Sequence, residues 1–447
     1  MVTLPYHITI NQVGSQTPIA FHTETSPETD DPENASITMQ QLIDEYAPEF
    51  SQDAKGSLYK PLLHGNLQTA YTALNFDNVH LVHFHRHMLH YQDGGVGALD
   101  IAVSPDAFHK EVDHSYIPET QQPFPEPFDQ FYSYVQPDHP SLSSDDEKPM
   151  MIILHGVTGG SWASYGRPLI LEMMSKYGFE CCVLNNRGCN YSKITTPQLY
   201  NGGWTNDVRY MVTELRDMYP NRKFYMVGFS LGATILVNYL GEEGDKSDIE
   251  CAVALGNPWD MVHSTFFVNH TFVGSRIYAP TVAKNLAKIS QNHLGVLIRD
   301  KRLKPIYETK LFNFKNFEEF DDQLTAPMFG YNTANEYYRD ASSVNRLMGV
   351  RTPILALNSM DDPVIGADFL PEKEIILNPY ILLLETSIGG HVAWFSDAYG
   401  NRWYTKPIGK YLNAFHTQIT MKGLKPDLSN ISLPINNSKP VKTTYNL

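Results

Sequence analysis

Between residues 150 and 386 the chain repeats one pattern, a short apolar run followed by a segment with helical spacing. The apolar runs are MMIILHG (150–156), FECCVLNNRG (179–188), KFYMVGFSLG (223–232), ECAVALGNP (250–258), TPILALNS (352–359) and YILLLET (380–386). Continuous rather than alternating apolarity suits strands covered on both faces. The spacing predicts helices over 167–176, 205–218 and 231–240. Asp207 falls near the start of the second, where a carboxylate favours the helix dipole. Strands alternating with helices imply a mostly parallel sheet with right-handed crossovers. The rhythm stops between about 259 and 350, in a long, aromatic-rich stretch. Structureless loops of that length are uncommon, so the stretch reads as a mainly helical cap inserted between core strands.

The flanks are different. Residues 1 to about 55 are polar and acidic, with Glu24, Glu28, Asp30, Asp31 and Glu33 close together, and read as a flexible arm. A β-rich lead-in follows, then a polar break over about 118–148, and the tail over 426–447 looks irregular. The main domain is thus expected over 56–425. No internal repeat is visible. The 447 residues carry a net charge of −15, which repels nucleic acid and gives no electrostatic hold on anionic membranes. Four cysteines make no disulfide framework, and reduced thiols in an intracellular, cytoplasmic protein are expected. MVTLPYHITINQVG has neither the basic start nor the apolar run of a secretory signal, and the last three residues, Tyr445-Asn446-Leu447, are not a peroxisomal address. No stretch is long enough to span a bilayer, so any membrane contact is expected to be peripheral.

The chemistry centres on Gly228-Phe229-Ser230-Leu231-Gly232. G-x-S-x-G alone is a weak pattern. Here the apolar KFYMV leads into it and the helix-like LGATILVNYL leaves it, the strand–turn–helix context of a nucleophile elbow. The glycines suit a turn too crowded for side chains. The fold class expected is therefore α/β, an α/β-hydrolase fold with Ser230 as nucleophile. The N–H of Leu231 is one candidate oxyanion donor. The glycine-rich turn His155-Gly156-Val157-Thr158-Gly159-Gly160, at the end of an earlier strand, offers Val157 N–H as the second.

In this fold the order along the chain is serine, acid, histidine. TPILALNS ends in Met360-Asp361-Asp362-Pro363-Val364, and YILLLET ends in Ser387-Ile388-Gly389-Gly390-His391. His391 is placed to take the serine proton, and an aspartate to fix its tautomer. Asp361 is favoured as the acid, because it stands three residues before Val364. Asp362, just before Pro363, then reads as a turn former.

His80, His83, His85, His87 and His90 cluster in the lead-in. Alternate ones would share a strand face, but no metal-ligand spacing completes the set, and a half-exposed strand face is the plainer reading. No metal and no cofactor is expected. Arg187 reads as a loop anchor rather than a substrate contact. Phe266, Phe267, Phe272, Tyr278, Tyr307, Phe312 and Phe314 in the cap are candidates for an acyl pocket, although most are expected only to pack the cap.

These motifs together resemble the lipase/esterase group that includes fungal medium-chain fatty acid ethyl ester synthase/esterases and their monoacylglycerol-lipase relatives. The resemblance spans about 58–415, through LHGNLQTAY (63–71), DGGVGALD (93–100), HGVTGGS (155–161), NNRGC (185–189), GFSLGA (228–233), FDDQLTAPMFGYNTANEYYRDASS (320–343), NSMDDP (358–363) and GGHVAWF (389–395). It implies Ser230, Asp361 and His391 as the triad. It implies short- to medium-chain acyl substrates (acyl-CoA, ethyl esters or monoacylglycerols), with water or ethanol as acceptor. Ala233 stands where many members have a second Gly. The N-terminal membrane anchor of animal relatives is not recognisable, which argues against membrane insertion but leaves peripheral lipid-droplet or organelle-surface contact open. No His-x4-Asp acyltransferase box begins at His391, so any transferase activity would use the hydrolase triad. The expectation is an esterase/lipase and alcohol O-acyltransferase. Rival readings are a monoacylglycerol lipase without transferase activity, a peptidase or small-ester esterase, and a non-catalytic scaffold on the same fold.

Overall fold

The computed structural model describes residues 7–23, 36–74, 76, 78–110 and 113–436. Fourteen strands appear among them: β1 (His7–Gly14), β2 (Ala20–His22), β3 (Ile37–Thr38), β4 (Lys55–Ser57), β5 (His83–His90), β6 (Val96–Val103), β7 (Tyr132–Tyr134), β8 (Met150–Leu154), β9 (Glu180–Asn185), β10 (Phe224–Phe229), β11 (Ile249–Leu255), β12 (Ile354–Ser359), β13 (Ile381–Thr386) and β14 (Lys425–Asp427). Eleven form one sheet, in the order β4-β1-β13-β12-β11-β10-β8-β9-β6-β5-β7. The run β13-β12-β11-β10-β8-β9 is parallel throughout. These six strands are the six apolar runs of the sequence. Helices Arg167–Tyr177, Asn206–Met218, Leu231–Glu243 and Thr405–Phe415 carry the buried side chains that cover the sheet. This is the α/β-hydrolase architecture the rhythm implies.

The expected flexible arm is different. Residues 7–14 form a strand antiparallel to β13, with Ile10 opposite Thr386 and Gly14 opposite Leu382, and the short edge strand β4 pairs on its other side. Its apolar residues alternate, so Ile8 and Ile10 are fully buried between exposed neighbours. Helix Met39–Tyr46 is closed by a capping box between Thr38 and Gln41 and buries Met39, Leu42 and Ile43. It packs on helix Thr405–Phe415. A sparse period-2 pattern inside polar sequence was enough to hold this segment, because the open edge of β13 supplies the partner. The acidic cluster Glu24 to Glu33 lies outside the described residues.

Residues between β11 and β12 are helical, notably Met261–His270, Ala279–Asn292, Lys304–Lys310 and Ala334–Ala341. They build a second apolar core around Leu297, Tyr307, Leu324, Phe329 and Tyr338. Among the described residues no helix is long and apolar enough to cross a membrane. All four cysteines are buried and unbridged.

The histidine strand keeps its expected half-exposed face at His83 and His87, but not at His85. β5 lies between β6 and β7, and His85 is fully buried beside Phe108. Burial lowers His85 and His87 to about 4. Among the described residues no group of three or more metal-ligating side chains forms.

Two predictions follow from this packing. Ile10→Ala should cost about 2–5 kcal/mol in urea unfolding, where a residue in a loose arm would cost almost nothing. Because the folded His85 is lowered below the unfolded value near 6.5, its contribution is intact above that pH and is lost as pH falls through about 4. His85→Leu should therefore lose less stability than wild type between pH 6.5 and 4, by up to about 3 kcal/mol.

Candidate active site

β10 runs up the centre of the parallel sheet and ends at Phe229, and helix Leu231–Glu243 starts two residues later. The single residue between them is Ser230, at φ 52° and ψ −120°. That positive φ is strained for a non-glycine residue. The turn is held by Ser230 N–H donating to Leu255 O at 2.9 Å, and by close backbone approach on both sides. A Cβ on Gly232 would overlap the Leu154 carbonyl oxygen, and one on Gly228 would sit 2.6 Å from Gly232 O. The strain holds the hydroxyl above the sheet, where it meets His391.

Ser230 Oγ lies 2.8 Å from His391 Nε2. His391 Nδ1 lies 2.8 Å from Asp362 Oδ2. Asp362, not Asp361, is the carboxylate on the imidazole. Its other oxygen accepts from Val364 N–H at 2.8 Å and Ile365 N–H at 3.1 Å. Pro363 has no N–H, so this turn closes beyond it. The Asp362 side chain is only 1% exposed, which strengthens its attraction for a developing imidazolium. Asp361 turns the other way. Its Oδ1 accepts from Gly389 N–H and Gly390 N–H, each at 2.9 Å, and from Ser359 Oγ at 2.7 Å. One aspartate thus orients the ring and its neighbour holds the backbone that carries the ring. Adjacent carboxylates at a strand end both reach the histidine loop, and the choice between them depends on side-chain direction, which the local pattern does not encode.

The histidine loop has a further brace that the sequence reading missed. Helix Gly65–Tyr71 in the lead-in docks beneath it. Thr69 Oγ1 accepts from His391 N–H at 2.8 Å, and Gln68 Oε1 accepts from Phe395 N–H at 2.8 Å. LHGNLQTAY is where a signal lay: a small polar motif far in sequence from any catalytic pattern.

Opposite Ser230, the turn after β8 is pinned by two phenols. Tyr165 OH accepts Gly156 N–H and Tyr200 OH accepts Thr158 N–H, each at 2.8 Å. Val157 lies between them and lines the same cavity as Ser230 and Leu231. Leu231 stands at the first turn of the following helix, where backbone N–H groups have no partner within the helix. His155 holds the turn from behind. Nδ1–H donates to Gly156 O at 2.7 Å and Nε2 accepts Asn186 N–H at 3.1 Å, which fixes the neutral tautomer. Burial lowers its pKa to about 4. Deeper still, the fully buried pair Arg86–Asp100 also binds Ser161 Oγ and Asn185, and Asn185 Oδ1 accepts Ser161 N–H at 2.9 Å. Arg187 is likewise an anchor: it pairs with Asp207 and Asp93 at 2.7–2.8 Å and stacks on Tyr91.

A cavity of about 130 Å³, open on one side to solvent, lies over Ser230. Val157, Leu231, Met261, Val282, Leu286, Phe317 and Val364 give it an apolar wall. None of the seven aromatic candidates lines it. Tyr307 is buried in the cap core, and Phe266, Phe272 and Phe312 face solvent. Phe317, Tyr200, Tyr337 and Tyr338, all outside the seven, are the aromatic residues that line it.

The family described as the alpha/beta hydrolase fold matches residues 149–397. The chain is 49% identical to a monoacylglycerol lipase of Saccharomyces cerevisiae over 99% of its own length and 98% of the relative's. It is 32% identical to medium-chain fatty acid ethyl ester synthase/esterase 2 of the same organism, over 90% and 94%. It is also 30% identical to human Phospholipase ABHD3, over 55% and 59%.

The two aspartates make a sharp prediction. Asp362→Asn should lower kcat on an activated ester by about 10⁴-fold, because the imidazole loses its anionic partner. Asp361→Asn keeps an oxygen for the loop N–H groups and should stay within about tenfold of wild type. The reverse ranking in steady-state kinetics would return the acid role to Asp361.

Proposed function

Since the chain belongs to the alpha/beta hydrolase fold family and is a serine hydrolase of the lipase/esterase kind, we propose that it cleaves monoacylglycerols and related medium-chain acyl esters through an acyl-Ser230 intermediate. The observation that carries this reading is the chain Ser230 Oγ–His391 Nε2, His391 Nδ1–Asp362 at the floor of an apolar cavity.

His391 Nε2 takes the Ser230 proton as Oγ attacks the ester carbonyl. The negative charge passes to the carbonyl oxygen, which Val157 N–H and Leu231 N–H stabilise. Asp362 holds Nδ1–H and stabilises the imidazolium. The tetrahedral intermediate collapses, the ester C–O bond breaks, and His391 returns its proton to the leaving alcohol. Water then enters, His391 removes its proton, and its oxygen attacks the acyl-enzyme. The second collapse releases the fatty acid and restores the serine.

An alcohol in place of water in the second half gives an ester instead of an acid. The apolar wall, which limits water in the cavity, and the 32% identical ethyl ester synthase/esterase both support this transferase branch. The donor can be a glyceride or an acyl-CoA in that scheme. The cap also exposes Phe266 and Phe272 near the cavity helix Met261–His270, an apolar surface suited to peripheral contact with a membrane or lipid droplet.

The test is a chain-length series of p-nitrophenyl esters, monoacylglycerols and acyl-CoAs, with and without ethanol. Ser230→Ala should fall by on the order of 10⁶-fold. Each added methylene that enters the cavity should raise kcat/KM by about fourfold until the wall is filled. Ethanol should divert part of the acyl group to ethyl ester. A Ser230→Ala protein that retains its rate removes the mechanism.

A further inference from the structure

The cavity wall contains a group that acyl-chain binding does not explain. Among the described residues Asp321 is the one charged side chain lining the space that Ser230, Val157 and Leu231 also line. It opens the turn Asp321–Thr325, a single π-helical turn between helices Phe317–Phe320 and Ala326–Met328. Such turns are frequent at functional sites. The placement is rigid. Phe320 and Leu324 on either side are buried in the cap core, and neighbouring Asp322 turns away to accept Ala334 N–H at 2.9 Å. Tyr338 OH donates to Asp321 Oδ2 at 2.7 Å, and Thr325 also hydrogen-bonds the carboxyl. Among the described residues no Lys or Arg pairs with it, and burial raises its pKa to about 6.

A desolvated carboxylate without a cation is costly, and asparagine or leucine would fit an acyl pocket more cheaply. A carboxylate offers about four lone-pair sites. Tyr338 and Thr325 occupy part of that capacity, and Asp321 also lines the cavity. The complementary ligand is a neutral group rich in O–H donors. Anions such as a phosphate-bearing headgroup or a free fatty acid are repelled. The alcohol half of a monoacylglycerol has two free hydroxyls, and an ethyl ester has none.

We propose that Asp321, steadied by Tyr338, is a specificity residue that accepts hydrogen bonds from the free hydroxyls of the glyceryl part of the substrate. The proposal rests on the esterase reading of the cavity and adds what that reading lacks, a means of telling a glyceride from a simple ester of the same acid. A site built to bind a hydroxyl rejects analogues that lack it, because its own polar group is then left unpaired.

The test compares three esters of one medium-chain acid: the monoacylglycerol, the propanediol monoester and the ethyl ester. In wild type, kcat/KM should rise with the number of free hydroxyls, reaching at least about tenfold between ethyl ester and glyceride. Asp321→Asn should collapse that ratio toward one, and Tyr338→Phe should lower it partway. A purely structural role would depress all three esters in parallel and leave the ratio standing. The wild-type series needs no variant to fold. Equal turnover of the three esters by wild type, or an unchanged ratio in Asp321→Asn, overturns the proposal and leaves the esterase reading intact. No turnover of any of them overturns both.

Discussion

The bend at Ser230 governs the rest of the molecule. A serine held at φ 52° costs about 1–3 kcal/mol and persists only where its surroundings over-determine it. They do so here. β10 lies between β8 and β11 with every residue buried, and ten of the thirteen residues of the following helix are buried as well. The strand cannot retreat and the helix cannot rotate, so the turn between them has one conformation. Every other feature of the site is placed relative to that fixed hydroxyl.

Three separate parts of the chain converge on it. The turn after β8 brings Val157 to the cavity, the strand ends of β12 and β13 supply Asp362 and His391, and the cap lines the cavity's far side. Each has its own support. Two tyrosine hydroxyls and His155 fix the first, with the Arg86–Asp100 network behind them. Asp361, Thr69 and Gln68 fix the second. The third rests on its own apolar core and on contacts such as Gly202 N–H donating to Tyr337 OH at 2.9 Å. Such division leaves the cap's inward face free to vary in chemistry while the reacting atoms stay put. Asp321 sits on that face.

Much of this was readable before any coordinates. Six apolar runs became six parallel strands, because continuous apolarity has no other stable home in a sheet covered on both sides. The glycines around Ser230 signalled a turn in which side chains have no room. Within the expected arm, the described residues 7–14 are a strand because Ile8 and Ile10, too few to stand out from polar neighbours, pack where β1 pairs with the open edge of β13. The cap aromatics misled for a related reason. Phe266, Phe272 and Phe312 are as apolar as Phe317, and only the packing of the cap decides which ring meets the cavity.

The sequence by itself determined the local conformations: which runs are strands, where the elbow bends, and which residue types gather at the strand ends. These follow from steric limits and periodicity within a few residues. Only the tertiary structure decided which of two adjacent aspartates faces the imidazole, that a helix near residue 69 braces a histidine at 391, and that Asp321 looks into the cavity while Asp322 looks away. Those choices depend on the direction of single side chains toward partners outside their own strand or turn, from 12 residues away for Asp322 and Ala334 to 322 for Thr69 and His391. No local pattern carries that information, because it arises only when the whole sheet and cap are packed.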